Sequence, residues 1–194
     1  MSRSLTRTSR GVTRSLKGQV ATLAASVTTL WAVFGVNALL GGALLRFGIV
    51  PRTEAGLIGL VVAPFLHANL NHLVANTLSF LLFGWLVMLR DRRHFAAVTV
   101  VAAVCSGLAA WALGLPGTVH VGASGVIFGY LGFLLLSGWY ARSLASVAIS
   151  VGVAVVWGGM VFGVLPGAPG ISWQGHLGGL VGGVIAARGF RVRR

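Results

Sequence analysis

Acidic side chains are almost missing: Glu54 and Asp91 are the only two in 194 residues, against fifteen Lys and Arg. Charged residues of either sign make up 9% of the chain and hydrophobic residues 56%, with a mean hydropathy of +0.91, which excludes an ordinary soluble domain. Cysteine is nearly missing too. Cys105 stands alone inside an apolar run, so no intrachain disulfide can form and no cysteine metal site can assemble; it reads as a small core residue. In a soluble chain the formal net charge of +13 would point to a nucleic-acid partner. Here the basic residues fall between apolar runs, so membrane topology accounts for them and no nucleic-acid partner is expected.

Six uncharged runs approach the ~20 residues that a helix needs to cross a ~30 Å hydrocarbon core. They lie at 20–45, 71–89, 95–114, 123–140, 144–164 and 174–187. The expected fold class is therefore an all-α membrane protein, a multi-pass bundle of six transmembrane helices in the lipid bilayer. A basic segment, 1–19, precedes the membrane domain, 20–190, and a short basic tail, 191–194, follows it. The segment carries Arg3, Arg7, Arg10, Arg14 and Lys17 without an acid, a pattern shared by organellar transit peptides and by the positive flank of a first membrane helix. Between the first two runs, Gly56 to Val62 is apolar but too short to span, so it is expected to lie in the interface or dip into one leaflet. With the N-terminus cytoplasmic, six crossings bring Arg90–Arg93, Arg142 and the tail from Arg188 to the same side. Thirteen of the fifteen basic residues then lie inside, with Arg46 and Arg52 outside.

The same count places the starts of the second, fourth and sixth runs at the outer face, and each start carries polar residues: His72 and Asn76, Ser124, and His176. His72 and Ser124 each stand 18 residues, about 27 Å, above an inner basic anchor; His176 stands 12 residues, about 18 Å, above Arg188. The polar residues are thus expected up to roughly 10 Å below the outer boundary. Ser124 sits in His120-Val-Gly-Ala-Ser124-Gly125, and 52 positions later comes Gly175-His176 in a glycine-rich apolar run. Polar groups at that depth are costly to keep and usually functional.

Gly125, Gly129 and Gly132 on one helix and Gly175, Gly179 and Gly183 on the other have the small-xxx-small spacing that lets two backbones approach closely. Taken alone that spacing indicates packing and nothing more. With Ser124 and His176 at the same level, it can bring Oγ within reach of the imidazole, a nucleophile beside its base. A Ser-His-Asp triad would need a carboxylate, yet Asp91 lies on the opposite side and Glu54 in an outer loop, so any catalysis uses a Ser-His dyad. His72 and Asn76 are four apart on one helical face; they can aim donors at a developing oxyanion together with the Ser124 N–H, or simply tie two helices. Zinc would need His67, His72 and His176, of which the first two diverge on a helix, so neither metal nor cofactor is expected. His67 and His120 read as interfacial loop histidines, with His120 the local rival to His176 as base. His94 reads as cytoplasmic and inert.

Gly122-Ala-Ser124-Gly125, His72-x-x-x-Asn76 ahead of it, and Gly175-His176 followed by Gly179 and Gly183 together resemble the rhomboid family of intramembrane serine proteases, in the minimal six-span bacterial form. The resemblance implies an enzyme of the bacterial plasma membrane that cleaves other membrane proteins within or near their transmembrane segments. It implies Ser124 as nucleophile, His176 as base, and His72 and Asn76 as oxyanion donors. Phe128 matches an aromatic position, usually Tyr, that packs on the base histidine. It further implies that the fifth span and an outer cap loop, here Leu165–Gly170, move to admit substrate. The chain departs from the family in its first outer loop, which has Pro51-Arg52 in place of a Trp-Arg pair. An inactive rhomboid-like binder and a small transporter are the rival readings. Because a regular helix hides its peptide carbonyls, cleavage is expected in unwound backbone near Gly, Ala or Ser.

Overall fold

The computed structural model describes residues 2–141 and 144–189, with no strand among them beyond a single isolated bridge. The turn at Arg142, the tail 191–194 and the side chains of residues 2–15 lie outside the described residues. Among the described residues six α-helices follow in order: α1 Ser2–Leu39, α2 Gly59–Val62, α3 Leu70–Leu113, α4 Ser124–Ala141, α5 Leu144–Trp157 and α6 Trp173–Gly189. Among the described residues, four stretches are long and apolar enough to cross a membrane: Leu16–Leu39, Leu70–Arg90, Arg92–Leu113 and Ser146–Val164.

The first helix ends six residues before the expected 45. Gly41 and Gly42 adopt φ of +61° and +86°, and the buried Asn37 side chain accepts from the Leu44 N–H at 2.9 Å, so the chain turns there. The expected interfacial stretch is a run of short helical turns from Ala55 to Phe65. It is anchored to the loop before α4, whose Gly122 N–H donates to the Ala63 carbonyl at 2.8 Å, and just ahead of it Ile49 and His120 exchange main-chain hydrogen bonds at 2.9 Å.

The second and third expected runs form one hydrogen-bonded helix, α3, which doubles back on itself. Phe80 and Phe95 are 15 residues apart, about 22 Å on a straight helix, yet their ring centroids are 6.2 Å apart. The reversal falls where the apolar pattern is interrupted by Arg90-Asp-Arg-Arg93. The Gln19 amide donates to the Met88 carbonyl at 3.4 Å and the Trp31 indole to Thr77 Oγ1 at 3.1 Å, so α1 runs antiparallel to the first half of α3. Tyr130 of α4 sits between Phe80 and Phe95 and bonds Thr99 at 2.7 Å.

α4 is the centre of the bundle, with Val126 to Leu134 buried. Enclosed by α3, α5 and α6, it is a shorter apolar helix than the four candidate spans. α4 and α6 run parallel and nearly in backbone contact. A Cβ on Gly179 would strike the Gly125 carbonyl oxygen, one on Gly183 that of Gly129, and one on Gly132 that of Leu180. Across α6, Gly178 and Gly182 pack against Cys105 of α3. Glycine on both sides thus sets the level at which the two helix starts meet.

Candidate functional site

At that shared level, Ser124 Oγ lies 2.9 Å from His176 Nε2, a hydrogen bond between residues 52 apart. Ser124 is the first residue of α4, half-buried; His176 is in the first turn of α6 with 9% of its surface exposed. Phe128, one turn after the serine, stacks flat on the imidazole at 4.1 Å between centroids and 11° between planes. The second ring nitrogen, Nδ1, lies 3.0 Å from the Gly163 carbonyl. That oxygen can only accept, so the contact is a hydrogen bond only with the proton on Nδ1, the tautomer in which the Nε2 lone pair faces the serine hydroxyl as a base needs.

The turn into α4 is built on Gly122, whose φ of +114° disfavours any side chain. A Cβ there would also stand 2.7 Å from His72 Nε2 and 3.3 Å from Asn76 Nδ2. The His72 ring and the Asn76 amide therefore converge on the space beside the turn that carries Ser124. Asn76 is 6% exposed and its Nδ2 has no hydrogen-bond partner among the described residues, a buried donor aimed at that space. Asn69 caps α3 by accepting from the His72 N–H at 2.9 Å, which fixes where His72 starts the helix.

His72, Asn76, Ser124, Phe128 and His176 line one cavity of about 1090 Å³, walled also by Met160 and the loop 167–172. Behind the serine a second cavity of about 30 Å³ is lined by Ser106, His120, Ser172 and His176 among others, large enough for a water molecule.

Two histidines lie in loops, as expected, but turned into the protein. His67 is 1% exposed, and its ring stands 5.1 Å from that of His72. The two do not diverge, because His67 precedes the helix. Burial, reinforced by the neighbouring His72, pushes its pKa down to about 4. His120 bonds Ser172 Oγ through Nδ1 at 2.7 Å and Thr118 Oγ1 through Nε2 at 3.0 Å; burial pushes its pKa down as well. It points at the cap of α6 and not at Ser124. Ser172 escaped the sequence reading, although a serine before Trp173-Gln-Gly175 is an N-cap signal, and its Oγ accepts from the Gly175 N–H at 3.3 Å. Gly163 escaped it because a main-chain carbonyl leaves no mark in residue identity. His94 packs edge-on against Phe133 at 6.4 Å.

The family model described as a rhomboid domain matches residues 54–193. An uncharacterised protein of Mycobacterium tuberculosis is 41% identical over 166 residues, 81% of this chain and 69% of its own length. One of Mycobacterium leprae is 42% identical over 139 residues, 68% of this chain and 55% of its own length. A protein of Acanthamoeba polyphaga mimivirus whose name includes "rhomboid protein" is 31% identical over 140 residues, 69% of this chain and 75% of its own.

Proposed function

The chain belongs to the rhomboid family, and on that footing we propose that it is an intramembrane serine endopeptidase that cuts transmembrane segments of other membrane proteins with the Ser124-His176 dyad. The observation that carries this reading is the 2.9 Å contact between Oγ and Nε2. In the proposed membrane frame the chain crosses six times, with the two arms of α3 as separate spans and both termini on the cytoplasmic side with Arg90–Arg93. Its location is a bacterial plasma membrane, its partners are transmembrane protein substrates and the bilayer, and it needs no cofactor.

Oγ of Ser124 attacks the scissile carbonyl while Nε2 of His176 takes its proton. The carbonyl oxygen becomes an anion over Gly122, where the His72 ring, the Asn76 amide and the Ser124 N–H can donate to it. Each such donor is worth about 2.7–4 kcal/mol in the transition state. Collapse expels the amine, which takes the proton from His176 and leaves an acyl-Ser124. A water, for which the 30 Å³ cavity behind Ser124 has room, then attacks with His176 as base and frees the second product. Phe128 restricts the imidazole to one plane, and Gly125 and Gly179 keep the two helix starts together.

The test is cleavage of a reporter whose transmembrane segment contains Gly, Ala or Ser, in proteoliposomes, alongside labelling by a fluorophosphonate. Both activities are expected in the wild type and lost in Ser124→Ala and His176→Ala. A folded wild-type protein that neither cleaves nor labels would be a rhomboid-like binder or transporter, and cleavage that persists in Ser124→Ala would remove the proposed nucleophile.

A further inference from the structure

His176 is held from both ends of its ring, and the end away from Ser124 has no side-chain partner. We propose that the main-chain carbonyl of Gly163 is the positioning group of the dyad, fixing the His176 proton on Nδ1 as a carboxylate does in a triad; this rests on the Ser-His reading above. The carbonyl accepts at 3.0 Å from Nδ1, while Nε2 meets Ser124 Oγ at 2.9 Å. In the opposite tautomer the Nδ1 lone pair would face a carbonyl oxygen and the hydrogen bond would be lost.

Two local features of the sequence serve this one hydrogen bond. Gly163 belongs to a tight 3-10 stretch, Gly158–Val164, in which its carbonyl would ordinarily bond the N–H three residues on. That residue is Pro166, which has no N–H, and no other loop N–H among the described residues bonds the Gly163 oxygen. The carbonyl is left free to face His176. The missing side chain matters as well: a Cβ on residue 163 would stand 2.7 Å from Cζ of Phe128, the ring stacked on the imidazole. Only glycine lets the strand of backbone lie this close beneath the stacked pair. The Gly163 carbonyl thus complements Phe128: the stack sets the plane of the ring, and the carbonyl sets which nitrogen carries the proton.

The test reads the tautomer directly, by 15N spectra of histidine-labelled protein in bilayers, with the His176 signals identified by their loss in His176→Ala. The variants are Gly163→Ala, which crowds Phe128, and Pro166→Ala on the exposed loop, which supplies an N–H to compete for the carbonyl without touching the packed bundle. The wild type is expected to carry its proton on Nδ1. Both variants are expected to show a mixture of tautomers, with kcat lowered about 10-fold, KM within about twofold, and fluorophosphonate labelling slowed in parallel. If Gly163→Ala does not fold, Pro166→Ala decides. A wild-type proton on Nε2 overturns the proposal. So does a Pro166→Ala variant in which the tautomer and kcat stay unchanged, or in which one moves without the other. A wild type that shows the Nδ1 tautomer but neither cleaves nor labels defeats the protease reading and leaves the positioning contact standing.

Discussion

Gly179→Ala is the sharpest probe of how helix packing sets the site. A Cβ on residue 179 would meet the Gly125 carbonyl oxygen far inside contact distance, and would lie 2.8 Å from the carbonyl carbon and 3.2 Å from Cα, where ordinary contacts begin at 3.4 Å. Both obstacles are backbone, so neither can rotate away. The carbonyl carbon alone demands about 0.6 Å of separation and the oxygen more, so α4 and α6 must part by on the order of 1 Å. Gly125 follows Ser124 directly and Gly179 lies one turn after His176, so the displacement reaches the 2.9 Å hydrogen bond almost undiminished. Overpacking of this kind destabilises by about 1–3 kcal/mol, and a misplacement near 1 Å can lower turnover about 100-fold. Cleavage of a transmembrane reporter in proteoliposomes measures the second effect and unfolding in mixed detergent the first. Gly152→Ala on α5, where a Cβ meets nothing within 4 Å, is the control, expected to be neutral or slightly stabilising. A folded Gly179→Ala protein with turnover within threefold of wild type would refute the idea that glycine contact sets the Ser-His distance.

Asn76→Ala should lower kcat by about 10²–10³ with little change in KM, since its Nδ2 has no partner among the described residues before the oxyanion forms; an equal loss in KM would indicate substrate binding instead. Ser172→Ala removes both the cap of α6 and the partner of His120, and a loss of about 1 kcal/mol in unfolding free energy is expected; unchanged stability would count against the cap. His67 stays neutral in the folded protein down to about pH 4 but would protonate near its ordinary 6.5 when unfolded. The folded state should therefore lose stability as pH falls from 6.5 toward 4, by at most about 3 kcal/mol from this residue. Unfolding measured across that range in wild type and His67→Gln should show the steeper fall in the wild type, and parallel curves would refute the burial argument.

Much of the architecture was legible because it depends on local composition. Uncharged runs of membrane length mark helices, and the basic cluster at Arg90–Arg93 marks a reversal. The two glycine-spaced segments mark helices that can approach closely. The edges were less legible: the end of α1 at Leu39 depends on a hydrogen bond that the Asn37 side chain accepts from the Leu44 N–H, and α4 can be short because its neighbours enclose it. The four side chains expected at one level, His72, Asn76, Ser124 and His176, all line the same cavity.

The sequence by itself determined which groups were present: one hydroxyl and one imidazole in glycine-rich apolar runs, two further donors one turn apart, and no carboxylate to complete a triad. Only the tertiary structure decided how they meet. The 2.9 Å Ser-His separation depends on the close backbone approach of α4 and α6 at their glycines, and the proximity of His67 to His72 depends on the turn that precedes α3. The acceptor on Nδ1 is a main-chain carbonyl, a group every residue has, so no side chain announces it. Its role arises because Pro166 leaves it unbonded and the fold sets it against His176.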